Sequence, residues 1–260
     1  MKDVLDSRIL GAIRFADALT GTTVQSPLSL ELGELHAVRN RSGVYVVRRA
    51  PGMDALSKSF DLTGAPAITP VAFPIKVSDP QHFYMPRTAS VTLPRSTSVP
   101  ATDSASIFQP QQIMLYPATA ATGRSTWASV FVTVSAQSDP NKKLAFALIQ
   151  AQQVSDSSVL ASSFTDYRGE GQLSLAVPGI RANTAGGAAV VAVGTDVNIV
   201  AIYDPAMPLF DSSGKVTGFV PDPDDLLRRA GDPSMKRSTP ARVTVQAGQT
   251  KSIAITIALS

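Results

Sequence analysis

The chain has 260 residues, 44% hydrophobic and only 17% charged, with 23 Lys and Arg against 20 Asp and Glu and no cysteine. That length allows one large or two ordinary domains, each able to bury its own core, while the missing thiols exclude disulfides and thiolate chemistry. The net charge of +3 is scattered apart from the doublets Arg48-Arg49, Lys142-Lys143 and Arg228-Arg229, which argues against nucleic acid, since such surfaces gather their cations on one stripe.

Glutamate occurs only at positions 31, 34 and 170, whereas 19 prolines and 17 glycines interrupt the chain often. Helices draw on Glu, Lys and Leu, and sheets on Val, Ile and Thr between turn residues, so the composition predicts an all-β fold. No run approaches the roughly 18 apolar residues of a membrane-spanning helix, and residues 1–8 lack the apolar centre of a signal peptide. The expectation is cytoplasmic synthesis, no membrane span and incorporation into a particle.

Residues 9–15 alternate Ile9, Gly11, Ile13 and Phe15 with Arg8, Leu10, Ala12 and Arg14, the period of a strand. Asp17-Ala18-Leu19-Thr20-Gly21 reads as a turn, and Leu28, Leu30 and Leu32 alternate beyond it. Residues 36–39 and 44–48 form a predicted hairpin around Asn40-Arg41-Ser42-Gly43, with Gly43 where a positive φ is needed. Residues 71–77 and 90–93 are further strands, and Pro74 predicts an edge or a bulge in the first. Residues 95–125, rich in Ser, Thr, Pro and Ala, read as a connection interrupted by an apolar patch, Ile113-Met114-Leu115-Tyr116, expected to pack across a domain interface.

The only tryptophan opens the second half. Trp127, Ser129, Phe131 and Thr133 alternate with Ala128, Val130, Val132 and Val134, and Asp139-Pro140-Asn141 turns the chain into a strand over 144–154. Strands are predicted at 159–165, 173–177, 188–193 and 197–203. The last strand, 252–259, follows Val243 and Val245 through an Ala247-Gly248-Gln249 hairpin turn. One helix is expected at 222–231, with an Asp222 N-cap, Pro223 at the first position, acids in the first turn, Arg228-Arg229 in the last and Gly231 as the stop. It lies in a long insertion, 204–240, of a length that usually carries contacts or function.

One motif occurs twice. Asn40-Arg41-Ser42-Gly43 opens an apolar run that ends at Pro51-Gly52, and Asp166-Tyr167-Arg168-Gly169 opens one that ends at Pro178-Gly179. Duplication predicts two tandem antiparallel β-sandwiches: a first domain over 1–105, a connecting segment over 106–125, and a second domain over 126–260 bearing the insertion. The second unit resembles the carboxypeptidase regulatory-like (transthyretin- or prealbumin-like) β-sandwich family. The likeness rests on Val130 to Val134, Leu144 to Gln152, the Thr165-Asp166-Tyr167-Arg168-Gly169 turn, Leu173 to Val177, Val177-Pro178-Gly179, and Val243 to Thr250. The first unit is similar through residues 17–21 and 40–43, with Asn40 replacing the turn aspartate. The resemblance covers about two-thirds of the chain and implies Ig-like or prealbumin-like sandwiches acting as accessory, adhesive or structural modules. It carries over no peptidase activity.

No reactive constellation stands out. His36 and His82 are the only imidazoles, too few for a histidine-built zinc site, and no His-Glu-x-x-His, Gly-x-Ser-x-Gly or phosphate-loop pattern is present. Asp222, Asp224 and Asp225 read as helix-capping acids rather than a calcium site, Asp211-Ser212-Ser213-Gly214-Lys215 reads as a turn, and Asn40-Arg41-Ser42 is a turn rather than a glycosylation site. No cofactor and no metal is expected. An enzyme would need several of Asp166, Arg168, Asp204 and Asp222 in one pocket.

The function expected is that of a non-enzymatic structural or adaptor protein, docking on protein subunits of a larger assembly such as a phage-tail-like or contractile-injection particle. Its contacts would come from edge strands and from Leu209, Phe210, Phe219, Val220, Leu226 and Leu227 of the insertion. The alternative is a carbohydrate-binding or adhesive module, with a glycan stacked on Trp127, Tyr167, Phe83 or Tyr84.

Overall fold

The computed structural model describes residues 8–57, 69–119, 126–177, 181–182, 190–191, 194–209, 212–213, 215 and 217–259. The fold is all-β, and among the described residues its two helices are short. The chain separates into two compact units, Met1–Pro80 with Pro86–Leu115, and Gln81–Met85 with Tyr116–Ser260.

The first unit runs β1 (Gly11–Asp17), β2 (Ser29–Glu31), β3 (His36–Arg39), β4 (Tyr45–Arg49), α1 (Asp54–Ser57), β5 (Val71–Ser78), β6 (Arg87–Leu93) and β7 (Gln111–Leu115). Two sheets result, ordered β3-β4-β1-β7 and β2-β5-β6. Alternation supplies the core: Ile13, Phe15, Val47, Ile113 and Leu115 come from one sheet, and Ile75, Val77, Val91 and Leu93 from the other, all buried. Phe15 meets Tyr45 edge-on, with ring centroids 5.4 Å apart. Pro74 sits in the middle strand of its sheet, yet β2 reaches only Lys76–Ser78 of β5. At Pro74 the missing N–H therefore meets no neighbouring strand on that side.

The apolar patch at 113–116 is not part of a connection. Ile113 and Leu115 belong to β7, which lies parallel to β1, so the first unit extends to Leu115. Two side chains tie β7 to β6. Gln111 donates to Ser90 O at 2.5 Å and accepts from Thr92 N at 3.0 Å, and the buried Arg87 guanidinium donates to Met114 O at 2.6 Å.

The second unit runs β8 (Ala128–Ala136), β9 (Asp139–Lys143), β10 (Leu148–Gln153), β11 (Val159–Phe164), β12 (Glu170–Leu175), β13 (Arg181–Ala182), β14 (Val190–Val191), β15 (Thr195–Tyr203), α2 (Pro223–Arg228), β16 (Lys236–Arg237), β17 (Ala241–Val245) and β18 (Thr250–Ile257). One sheet is β12-β8-β18 with β9 attached to β8. The other is β11-β10-β15-β16 with β17 attached to β15. Val130, Val132, Val134, Leu173 and Ile255 of the first sheet share one buried cluster with Ile149, Ala151, Val197 and Ile199 of the second. Within this unit the segment 81–85 pairs with residues 116–118, through Met85 N to Tyr116 O and Ala118 N to Phe83 O, each 2.9 Å.

Of the strand expected over 144–154 only β10 forms, and the turn expected at 139–141 is strand β9, which pairs with β8 in the other sheet. Between β9 and β10 the chain turns a corner, with Phe146 in the left-handed region at φ 58°. Buried Thr165 pins that corner: its Oγ1 donates to Leu144 O and accepts from Ala147 N, both at 2.8 Å. The turn at 247–249 likewise joins two sheets rather than closing a hairpin, since β17 pairs with β15 and β18 with β8.

The duplicated turn has the same geometry in both units. Asn40 Oδ1 accepts from Ser42 N (3.0 Å) and Val44 N (2.9 Å), and Asp166 Oδ1 accepts from Arg168 N (2.8 Å) and Glu170 N (3.1 Å). Gly43 and Gly169 close the turns at φ 79° and 72°. The strand that leaves each turn pairs antiparallel with the first strand of its unit, β4 with β1 and β12 with β8. Each first strand also pairs parallel with the last strand of its unit, β1 with β7 and β8 with β18. One sheet of each unit is therefore mixed, while β2-β5-β6 and β11-β10-β15-β16 with β17 are antiparallel throughout. The end of the second motif copy, Pro178-Gly179, lies outside the described residues.

These turns predict a graded glycine series. Gly52, at φ 74° with open space where a Cβ would stand, should lose about 1–2 kcal/mol on change to alanine. Gly169→Ala should lose about 1–3 kcal/mol more, because its Cβ would meet Val134 O at 2.7 Å and Leu144 N at 3.0 Å. Urea unfolding of the two variants checks the ordering.

Candidate functional site

Leu209 and Leu226, two of the six residues expected at an interface, are buried within the second unit, and Phe219, Val220 and Leu227 are half-buried. Phe210 lies outside the described residues. On the β10–β15 sheet, Leu148, Phe164, Val200 and Ile202 stand on the face opposite the sandwich core and are buried as well, with α2 in contact with β10. Helix α2 of the insertion thus contributes to covering this face at β10, while Tyr116, outside the insertion, packs edge-on against Phe164 with ring centroids 4.9 Å apart.

Polar contacts hold that cover in place. Asp222 caps α2 by accepting from Asp224 N at 3.0 Å. Arg229, at the end of α2, pairs with buried Asp204 at 2.7 Å and with Asp225 at 2.8 Å, and the two carboxylates hold its guanidinium more firmly protonated. Ser238 acts as a surrogate strand residue: its N–H donates to Ala201 O (2.8 Å), and its Oγ accepts from Ala201 N (3.0 Å).

What the insertion leaves open is β11. Among the described residues it is the terminal strand of its sheet, paired with β10 alone. Val159 and Leu160 are about half exposed, as is Val154 across the hairpin to a lesser degree. Residues 159–164 carry no charge and no proline, the devices that usually blunt an edge, although a register shift falls at this end of the pairing. Other terminal strands are guarded: β3 carries Arg39, β18 Lys251, β6 Arg87, and β16 is Lys236-Arg237. β7 is uncharged too, but its Gln111 bonds Ser90 and Thr92 of β6, and Arg87 of β6 bonds Met114 O.

Beside the Asp166 turn lies a cleft of about 370 Å³ in the second unit, lined by Thr119, Phe131, Val132, Thr133, Arg168, Glu170, Gly171 and Ser252. Arg168 bonds Asp166 through Nε and Nη2, each 3.1 Å, and reaches Glu170 at 3.2 Å. The bond to Asp166 and then the charges of both acids raise its pKa, so it remains a cation across the working pH range. Tyr167 is 76% exposed, with the Arg168 guanidinium 5.6 Å from its ring centre.

The remaining sequence candidates do not converge. His36 and His82 are exposed, and no group of three or more metal-ligating side chains occurs among the described residues. Asp166 and Arg168 serve one turn, whereas Asp204 and Asp222 anchor the insertion. Trp127 precedes β8 at one end, and the Tyr167 turn sits beside Val134 at the other. At about 3.3 Å per residue they are roughly 20 Å apart, too far for one sugar ring. No described helix is long and apolar enough to cross a membrane.

No family model and no curated protein matches the chain. Among solved structures it is similar to the Bacillus anthracis TIE protein at 7% identity, over 96% of this chain and 51% of that one, with a TM-score of 0.22. The chain thus spans about half the length of that protein, and a likeness at this score bears on neither fold nor function.

The Arg229 bridge is open to direct test. Arg229→Met should destabilise the second unit by about 2 kcal/mol, because buried Asp204 loses its charged donor. Hydrogen exchange should localise the loosening to residues 222–238, and denaturant unfolding should give its size.

Proposed function

We propose that the protein is a non-enzymatic structural or adaptor subunit that docks onto another protein of a larger assembly by adding a strand to β11. The observation that carries this reading is the uncharged, proline-free and one-sided Val159–Phe164 edge, with Val159 and Leu160 exposed beside Val154. An unpaired row of backbone N–H and C=O groups recruits an extended chain, and the adjacent apolar side chains select what that chain carries. Strand addition needs no ionisable cluster, in keeping with acids and bases that serve turns, caps and the insertion bridge.

The duplicated Asx turn also supports reading each unit as a prealbumin-like, Ig-like sandwich, a scaffold whose members act through loops and edges. On this reading the insertion is not the docking arm. Its helix α2 helps cover one face of the sheet whose edge does the docking.

Size-exclusion chromatography of native-host extract tests the proposal. The protein should travel in a high-mass fraction, and Val159→Lys or Leu160→Lys should release a folded monomer, because a charge on an edge strand opposes pairing. A wild-type protein that elutes as a free monomer, or a lysine variant that stays in the high-mass fraction, overturns it.

A further inference from the structure

We infer that the cleft on the outer face of the β12-β8-β18 sheet is a binding site for a neutral, polyhydroxylated ligand of the size of one sugar ring or a short glycan end. This goes beyond the docking reading and stands on different residues. The floor is Phe131, whose ladder neighbours are Gln172 on β12 and Ser252 on β18. Phe131 is half-buried and is the aromatic side chain of the cleft, which Thr119, Thr133, Arg168, Glu170 and Ser252 also line. An aromatic face of this kind packs against the C–H face of a sugar.

Thr119, Thr133 and Ser252 are among the residues that line the cleft. Arg168 commits Nε and Nη2 to Asp166 and Glu170 and leaves Nη1 uncommitted among the described residues. Gln172, beside Phe131 on β12, is only 6% exposed and donates Nε2 to Ser129 Oγ at 3.4 Å, so it stands beside the cleft rather than lining it.

Charge then chooses the ligand class. One guanidinium sits between two carboxylates, so an anion meets Asp166 and Glu170, and a cation meets Arg168. A neutral ligand escapes both penalties. Vicinal hydroxyls fit an Arg–Glu pair because one can accept from the guanidinium while its neighbour donates to the carboxylate. The volume, about 370 Å³, lies at the small end of ligand sites. Tyr167, although the most exposed aromatic side chain among the described residues, does not line the cleft.

Amide NMR titration with a panel of neutral glucose-, galactose- and N-acetylglucosamine-based disaccharides tests this. At least one sugar should shift the amides of residues 131, 133, 170 and 172 with millimolar affinity. Phe131→Ala and Glu170→Gln should each weaken it by about tenfold. Ser252→Leu, which fills the cleft from an exposed position on β18, should abolish binding while leaving thermal unfolding unchanged, so that loss of fold is not mistaken for loss of site. Tyr167→Ala should bind as wild type. The proposal is overturned if no sugar moves those amides at tens of millimolar, if Ser252→Leu binds unchanged, or if Tyr167→Ala alone removes binding.

Discussion

Everything in the second unit is referred to one turn. Asp166 Oδ1 accepts two backbone N–H groups around a glycine that only a left-handed backbone can place. Asp166 N–H returns a 2.7 Å bond to Glu170 O, fixing where β12 begins. The register of β12 against β8 follows, and β8 in turn carries the parallel β18. On the incoming side, Thr165 locks the 144–147 corner, which sends β10 and β11 into the opposite sheet. The open edge and the cleft thus flank the same five residues. A carboxylate held by backbone donors is a strong constraint because both donors would otherwise be orphaned in a tight bend.

The first unit repeats the device with an amide in place of the acid, and the pair of turns separates what such a turn specifies from what it does not. Asn40 and Asp166 accept from the same two positions, and both outgoing strands lie beside the first strand of their unit. The incoming strands differ. β3 stays in the sheet of β4 as a hairpin, whereas β11 crosses to the other sheet and becomes its margin. The turn fixes the strand that follows; the packing of the strand before it decides whether a hairpin or a corner results. That divergence leaves the second unit with an unguarded edge.

Much of this is legible in the residues. Period-two alternation marks β1, β8 and β18, the Asn/Asp-x-x-Gly pairs mark the turns, and Asp222-Pro223 with Arg228-Arg229 marks α2. Alternation identifies a strand but not its partner, so the parallel pairing of first and last strands stays hidden. The corner at Phe146 is hidden because an aromatic residue gives no sign of a positive φ. The five residues of β7 are masked by a Ser/Thr/Pro-rich stretch, where Ile113 and Leu115 alternate too briefly to stand out. Leu209 and Leu226 read equally well as anchors for a partner or as cover for their own sheet, and only the fold separates the two. The cleft draws on residues from 119 to 252, of which the Asp166 turn alone carries a local signal.

Docking by strand addition requires β11 to be unpaired on its outer side in the isolated chain and paired in the assembly. Amide hydrogen exchange at residues 159–162, measured on the free protein and on the high-mass fraction from the native host, addresses this directly. The outward-facing amides should exchange rapidly when free and be strongly protected in the assembly, with β10 slow in both. Protection already complete in the free protein, or exchange that remains fast within the assembly, would contradict it.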